Sequence, residues 1–476
     1  MNYFLILPEI ILCSLAILTL IADLFLSKEK KSKLVYLILP GLLLVLAATI
    51  GTFNIKETVL SGSFTIDPFS FFFKLLAVAI AFLVILSSMD YLKNLGENEG
   101  EFYALILFST LGIILVASSS DLIIIYLALE FTSITCYILA GMEKTSPKSS
   151  EAAIKYFLLG AVCSAVMLYG MSLIYGLTGS TNIYEIAKSL TLYSFSPTPL
   201  LLLSAILMLT GFGFKIALVP YHQWCPDTYE GAPTPVTAFL SVGPKAAGFA
   251  VLLRVFLVIF PFVDWQVILV IISVLSMTLG NLVAIVQKDI KRMLAYSSIA
   301  QAGYILIGLV SARPGNLGIQ GVLVYLLVYI FMNLGAFTVV IIFSLQTKSD
   351  LIEDYAGLSQ RAPFLAFSLS LFLLSLAGIP PLAGFLGKFF VFAAAISADL
   401  LWLAIVGVIN SIISVYYYCN VIRQMYLVPA KDGRAIYQPK ALNLALAVNL
   451  LVTIFLFLVP FLFAQLTKLS TQILGA

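Results

Sequence analysis

The sequence predicts an all-α polytopic membrane protein. Three observations carry this. Of its 476 residues 61% are hydrophobic and 10% charged, with mean hydropathy +1.08, whereas soluble domains carry about 25% charged residues. The apolar residues gather into runs close to the ~20 that a membrane helix needs. The basic residues fall between those runs with a strong bias to one side.

Fourteen apolar runs are predicted to span, at 3–26, 34–53, 68–88, 102–117, 121–141, 154–177, 198–219, 233–259, 265–286, 292–311, 317–345, 362–392, 399–425 and 441–467. The first has no basic residues ahead of it, is too long for a signal-peptide core and has no small-residue cleavage site, so it reads as a retained helix. Odd-numbered loops carry fifteen basic residues, from Lys28 and Lys30 to Lys431, Arg434 and Lys440. Even-numbered loops carry Lys56, Lys188, Arg313 and Lys468. This bias puts the odd loops in the cytoplasm and both termini outside. Lys74 and Lys155, near helix ends, are expected to snorkel to the interface.

Two five-helix units of opposite topology are predicted. Tyr137-Ile-Leu-Ala-Gly141 in the fifth run recurs as Tyr304-Ile-Leu-Ile-Gly308 in the tenth. Five runs is an odd number, which inverts the second copy, as in many transporters. The expected organisation is an N-terminal trio over 1–101, the first unit over 102–260, the second over 261–426, and a C-terminal helix over 427–476.

Helix breaks fall where that plan places them. The seventh run contains Lys215 and Pro220, and the twelfth contains Gly378, Pro380, Pro381 and Lys388. Gly243-Pro244-Lys245 is expected to interrupt the eighth in the same way. Proline removes a backbone donor and disturbs the preceding turn. Groups freed inside a membrane must meet protein or water.

Glu130 lies in the middle of the fifth run. An ionisable group at that depth costs roughly 2.5–3.5 kcal/mol on insertion scales. Glu130, Lys215, Lys245 and Lys388 therefore read as a proton or ion path. Lysine suits this, because its ammonium gives up a proton on desolvation more readily than a guanidinium. Glu130 is expected to pair with Lys215, and its withdrawal to release the proton. His222, just beyond the first break, could relay between lysines or be structural. Tyr296, Ser297, Ser298 and Gln301 on the tenth run, and Asn410, Ser411, Ser414 and Tyr416 on the thirteenth, are candidate relays or ordinary helix contacts. Arg254 takes no assignment.

The five cysteines, Cys13, Cys136, Cys163, Cys225 and Cys419, have irregular spacing and form no CxxC pair, and there is one histidine. They read as small buried hydrophobes, with no metal or iron–sulfur site. No basic block suggests nucleic acid.

Four stretches carry a family resemblance: Lys148 to Gly160, Lys215 to Phe249 (with Tyr229-Glu-Gly-Ala-Pro-Thr-Pro-Val236 inside it), Gln287 to Tyr304, and Leu376 to Lys388. Together they resemble the antiporter-like membrane subunits of respiratory complex I, the proton-translocating NADH:quinone oxidoreductase. The resemblance covers essentially the whole chain. It implies that Glu130 and Lys215 match the family's paired residues, Lys245 the central lysine and Lys388 the terminal one. Ser297 stands where the second unit would repeat Glu130. The resemblance further implies that the flavin, iron–sulfur clusters and quinone lie on other subunits, and that this chain holds no cofactor. Other membrane-arm subunits, including neighbouring antiporter-like ones, and lipid are the expected partners. The expected location is a bacterial inner membrane, or a thylakoid for a cyanobacterial or plastid-like source. A subunit of a multi-subunit cation/proton antiporter is the alternative within the same fold.

Overall fold

The computed structural model describes residues 3–93, 98–192, 199–260, 265–313, 317–430 and 434–472. Lys431, one of the loop cations, and the expected unit boundary at 261 lie outside them.

The N-terminal trio is α1 (Leu7–Phe25), α2 (Val35–Ile50) and α3 (Pro68–Leu92). Next come α4 (Glu99–Ser118), α5 (Leu122–Ala140), α6 (Pro147–Thr178) and a short amphipathic connector, α7 (Ile183–Leu192). The seventh run forms α8 (Pro199–Ile216); a short helix beyond that run, α9 (Trp224–Gly231), leads to α10 (Thr234–Ile259). The second half holds α11 (Trp265–Ile285), α12 (Ile290–Val310), α13 (Gly318–Thr347) and a single turn, α14 (Leu358–Arg361). The twelfth run is split into α15 (Pro363–Ala377) and α16 (Ala383–Ser397), and α17 (Leu401–Leu427), α18 (Lys440–Leu458) and α19 (Pro460–Ser470) close the chain. Among the described residues thirteen helices are long and apolar enough to cross a membrane, and the split pair α15–α16 adds a further apolar passage, in keeping with the fourteen expected. A small hairpin, β1 (Glu57–Val59) with antiparallel β2 (Phe64–Ile66), lies between α2 and α3.

The packing repeats in part. In the first half α4 pairs with α5, as α11 does with α12 in the second; α6 packs mainly on α8, the segment before its break, and α13 mainly on α16, the segment after its break. Both breaks begin with the same backbone device. Ala217 (φ 58) and Gly378 (φ 88) take the left-handed conformation. Leu218 N–H then donates to Gly213 O at 2.8 Å, and Ile379 N–H to Leu374 O at 3.1 Å. This is the helix-ending motif that proline commonly follows.

The freed groups find side chains. Trp224 Nε1 donates to Phe214 O at 3.1 Å, and Val219 N–H to Ser276 Oγ at 3.0 Å. In the second break Gln301 Nε2 donates to Leu376 O at 3.0 Å.

Pro244 does not break its helix, contrary to expectation: α10 runs unbroken through it. A proline costs one internal bond and tilts the preceding turn, and dense packing on every side of α10 holds the two halves in line. Lys74 does not snorkel either. It is 1% exposed and meets Glu9 Oε1 at 2.6 Å, tying α3 to α1. The sequence places these partners sixty-five residues apart, so periodicity could not pair them.

Candidate functional site

The first centre lies between α5, α6 and α8. Lys215, on the last turn of α8, is buried and donates to Ser133 Oγ at 2.7 Å. Glu130 Oε1 accepts from Ser164 at 2.5 Å and from Ser133 at 3.5 Å. The expected direct Glu130–Lys215 pair is thus bridged by a hydroxyl. Ser133 and Ser164 carried no role in the sequence reading; Ser133 lies one helical turn from Glu130 on the same face.

The second centre is on α10. Lys245 Nζ donates to the Ser298 carbonyl at 3.0 Å and its hydroxyl at 2.5 Å, and Tyr329 OH donates to the same hydroxyl at 2.8 Å. One turn further along α12, Gln301 Oε1 accepts from Tyr325 at 2.5 Å, and its Nε2 lies 3.4 Å from Tyr418 OH. Tyr418 OH also pairs with Ser297 Oγ at 2.5 Å. Polar residues on α12 therefore face Tyr325 and Tyr329 of α13 and Tyr418 of α17.

The third centre is the second break. Lys388, on α16, donates to Ala377 O at 2.7 Å and sits 4.5 Å from the centre of the Tyr304 ring, a cation–π contact. Tyr304 OH accepts from Asn281 Nδ2 at 2.9 Å. Asn281 also donates to Asn410 O at 3.0 Å and accepts from Tyr417 at 3.0 Å. Lys215 belongs to the helix before its break, Lys388 to the helix after its break.

Among the described residues, none of these three lysines makes an ion pair with a carboxylate. Neutral hydroxyls, carbonyls and rings hold them instead, with Glu130 the carboxylate nearest to Lys215 through the Ser133 hydroxyl.

The other candidates divide. Ser297, Gln301 and Asn410 join these networks. Ser411 lines an apolar recess of about 390 Å³ beside Lys388. Tyr296 is half-buried and outside the chain of contacts. Tyr416 is 65% exposed on the outer face of α17; Tyr417 and Tyr418, turned inward, take the place expected of it. His222 lies in the α8–α9 connection, and its Nδ1 is buried without a hydrogen bond. Among the described residues no group of three His, Cys, Asp or Glu side chains comes together as a metal site.

Sequence reasoning missed Tyr325, Tyr329, Tyr418 and Asn281. A signal existed: Tyr325, Tyr329 and Asn333 recur every fourth residue in a stretch of α13, 321–337, whose other side chains are apolar.

Arg254 also finds its place. Its guanidinium grips Asp67 with two bonds, of 3.0 and 2.9 Å, and reaches Tyr184 OH at 3.2 Å and Ala117 O at 3.1 Å. Arg254 thus knits α10 to the α3 cap and to the even-numbered loops.

Broken helices in repeated packing, with buried lysines at the breaks and at the helix between them, define an antiporter-like membrane subunit. Residues 119–414 match the family described as NADH:quinone oxidoreductase/Mrp antiporter, TM, and the chain belongs to that family. It is 46% identical over 434 residues to NADH-quinone oxidoreductase subunit N of Trichlorobacter lovleyi, covering 90% of this chain and 89% of the relative. With the subunit N of Desulforamulus reducens it shares 45% over 473 residues, 99% of this chain and 98% of the other. A chain of respiratory complex I from Thermus thermophilus superposes with TM-score 0.82 at 33% identity, covering 96% of this chain and 98% of that one.

Proposed function

We propose that this chain is a proton-translocating membrane subunit of a redox-driven NADH:quinone oxidoreductase, of the subunit N type. The observation that carries the reading is the set of buried lysines held by neutral groups, with Glu130 one hydroxyl from the first of them. The order read here is Glu130 and Lys215, then Lys245, then the Gln301–Tyr418 ladder, then Lys388. His222 is a further candidate at the first break.

The two five-helix units span 102–260 and 261–426, between the N-terminal trio and the C-terminal helix. The odd loops face the cytoplasm of a bacterial inner membrane, and both termini face outward. The flavin, iron–sulfur clusters and quinone site sit on other subunits. The family also holds cation/proton antiporter subunits; identities near 46% with subunit N favour the quinone-linked reading.

The energy scale is compatible. Moving one charge through 100 mV costs ~2.3 kcal/mol, and a two-unit swing in the pKa of one group is worth ~2.7 kcal/mol. The test compares donor-driven quinone reduction and proton pumping in membrane vesicles for wild type, Lys215→Ala and Glu130→Gln, with assembly verified. Loss of both activities in an assembled complex is expected. Unchanged pumping in both variants would make these charges structural.

A further inference from the structure

The short helix beyond the first break is held at both ends. At the head of α9, Trp224 is buried and stacks on Tyr156 of α6, with ring centres 4.2 Å apart and planes within 14°. Its indole Nε1 donates to Phe214 O, the same carbonyl that accepts from Ala217 N–H at 3.1 Å where α8 ends. Phe214 is the residue before Lys215. One indole thus grips the backbone from which the first lysine projects.

Further along α9, Asp227 and Glu230 stand one turn apart in a knot of cations. Arg292, in the first turn of α12, donates from Nη1 to Asp227 Oδ1 at 2.7 Å and to Glu230 Oε2 at 2.8 Å. The other oxygen of each carboxylate takes a lysine of α6. Lys155 Nζ donates to Asp227 Oδ2 at 2.5 Å, and Lys148 Nζ to Glu230 Oε1 at 2.8 Å. Gly231 then seats the end of α9 flush against α6, where a Cβ would collide with the Lys148 carbonyl. Isolated surface ion pairs contribute little to stability, and a network with its carboxylates less than a third exposed is the exception. Here Lys148 and Lys155 tie α9 to the first half of the chain, and Arg292 ties it to the second.

We propose that Arg292 is a positioning residue for Lys215. By bracing α9 across the two halves it keeps Trp224 on the Phe214 carbonyl, and so fixes the end of α8 from which Lys215 reaches Ser133. The consequence for pumping rests on the proton-path reading; the mechanical linkage does not.

Hydrogen–deuterium exchange of the assembled complex, read by mass spectrometry on peptides across 210–222 and 224–232, tests the linkage. Arg292→Gln leaves each carboxylate its lysine, so the fold should survive. The amides of Ala217 and Leu218 are expected to exchange about tenfold faster in it, the scale of one lost hydrogen bond. Trp224→Phe keeps a ring against Tyr156 and removes the indole donor. It should speed the same two amides with little change across 224–232, and adding Arg292→Gln should add little more. Arg292→Lys, whose ammonium lacks the guanidinium fork, should fall between wild type and Arg292→Gln. Lys93→Gln, which breaks an exposed pair with Asp90 elsewhere, should change neither peptide. Faster exchange confined to 224–232 in Arg292→Gln overturns the proposal, as does additive acceleration in the double variant. Vesicle pumping then separates the two readings. Arg292→Gln should pump about tenfold slower at normal assembly, since a small misplacement of a reacting group is costly. Normal pumping in Arg292→Gln beside an inactive Lys215→Ala overturns the positioning role. Normal pumping in Lys215→Ala sinks the proton path instead, and the exchange result alone then decides the linkage.

Discussion

Lys215 reaches Glu130 through Ser133: its ammonium donates to the hydroxyl at 2.7 Å, and the hydroxyl lies 3.5 Å from the carboxylate. A serine between acid and base makes their coupling adjustable, since a hydroxyl that rotates can pass or withhold the proton.

Ser133→Ala should therefore uncouple the pair without adding or removing charge. The expected effect is about a tenfold slower coupled pumping, the scale of one lost hydrogen bond to a charged group. Ser133→Thr keeps the hydroxyl and should restore most of the rate. Vesicle pumping at normal assembly measures both, and an unimpaired Ser133→Ala would mean that Glu130 and Lys215 act independently.

Arg254→Met should leave the Asp67 carboxylate buried without its cation, at a cost of about 3–5 kcal/mol. Adding Asp67→Asn, which keeps the helix cap, should recover part of it. Thermal dissociation of the purified complex reads this directly. Additive losses in the double variant would show that the two residues do not share one interaction.

Asp289 offers a pH test outside the membrane-spanning helices. Burial pushes its carboxyl up to about 6, against help from the Arg292 N–H and Lys291; Asp350 and Glu230 push it the same way as burial. A raised carboxyl favours the folded state when protonated. That contribution is full below the ordinary value of 3.8 and is lost as pH rises through about 6. Asp289→Asn retains the cap on Arg292 N–H. It should melt higher than wild type above pH 6, with the advantage vanishing in acid. A constant difference across that range would contradict it.

Gly384→Ala probes the second break. A Cβ there would collide with the Ser375 carbonyl, where α16 folds back against α15. Overpacking of this kind costs about 1–3 kcal/mol. Reduced yield of assembled complex is expected, and normal yield with normal pumping would show that the break can open freely.

Much of this was legible in the sequence. Hydropathy marked the passages, because lipid demands long apolar helices whatever their neighbours. Proline and glycine marked two breaks, and an ionisable residue at depth marked each lysine centre. Lateral pairing was not legible. Helices apolar on every side carry no stripe that points to a partner, so the Lys74–Glu9 pair, the Arg254–Asp67 clamp and the choice of Tyr418 over Tyr416 all required the packed structure. Pro244 misled for a related reason: a proline's local cost is readable, while the neighbours that offset it are not.

The Arg254 clamp has a mechanical consequence. Arg254 lies nine residues beyond Lys245 on the same unbroken helix, about 13 Å along its axis. By fastening that helix to the head of α3, which Lys74 in turn bolts to α1, the chain gives its central lysine a stator.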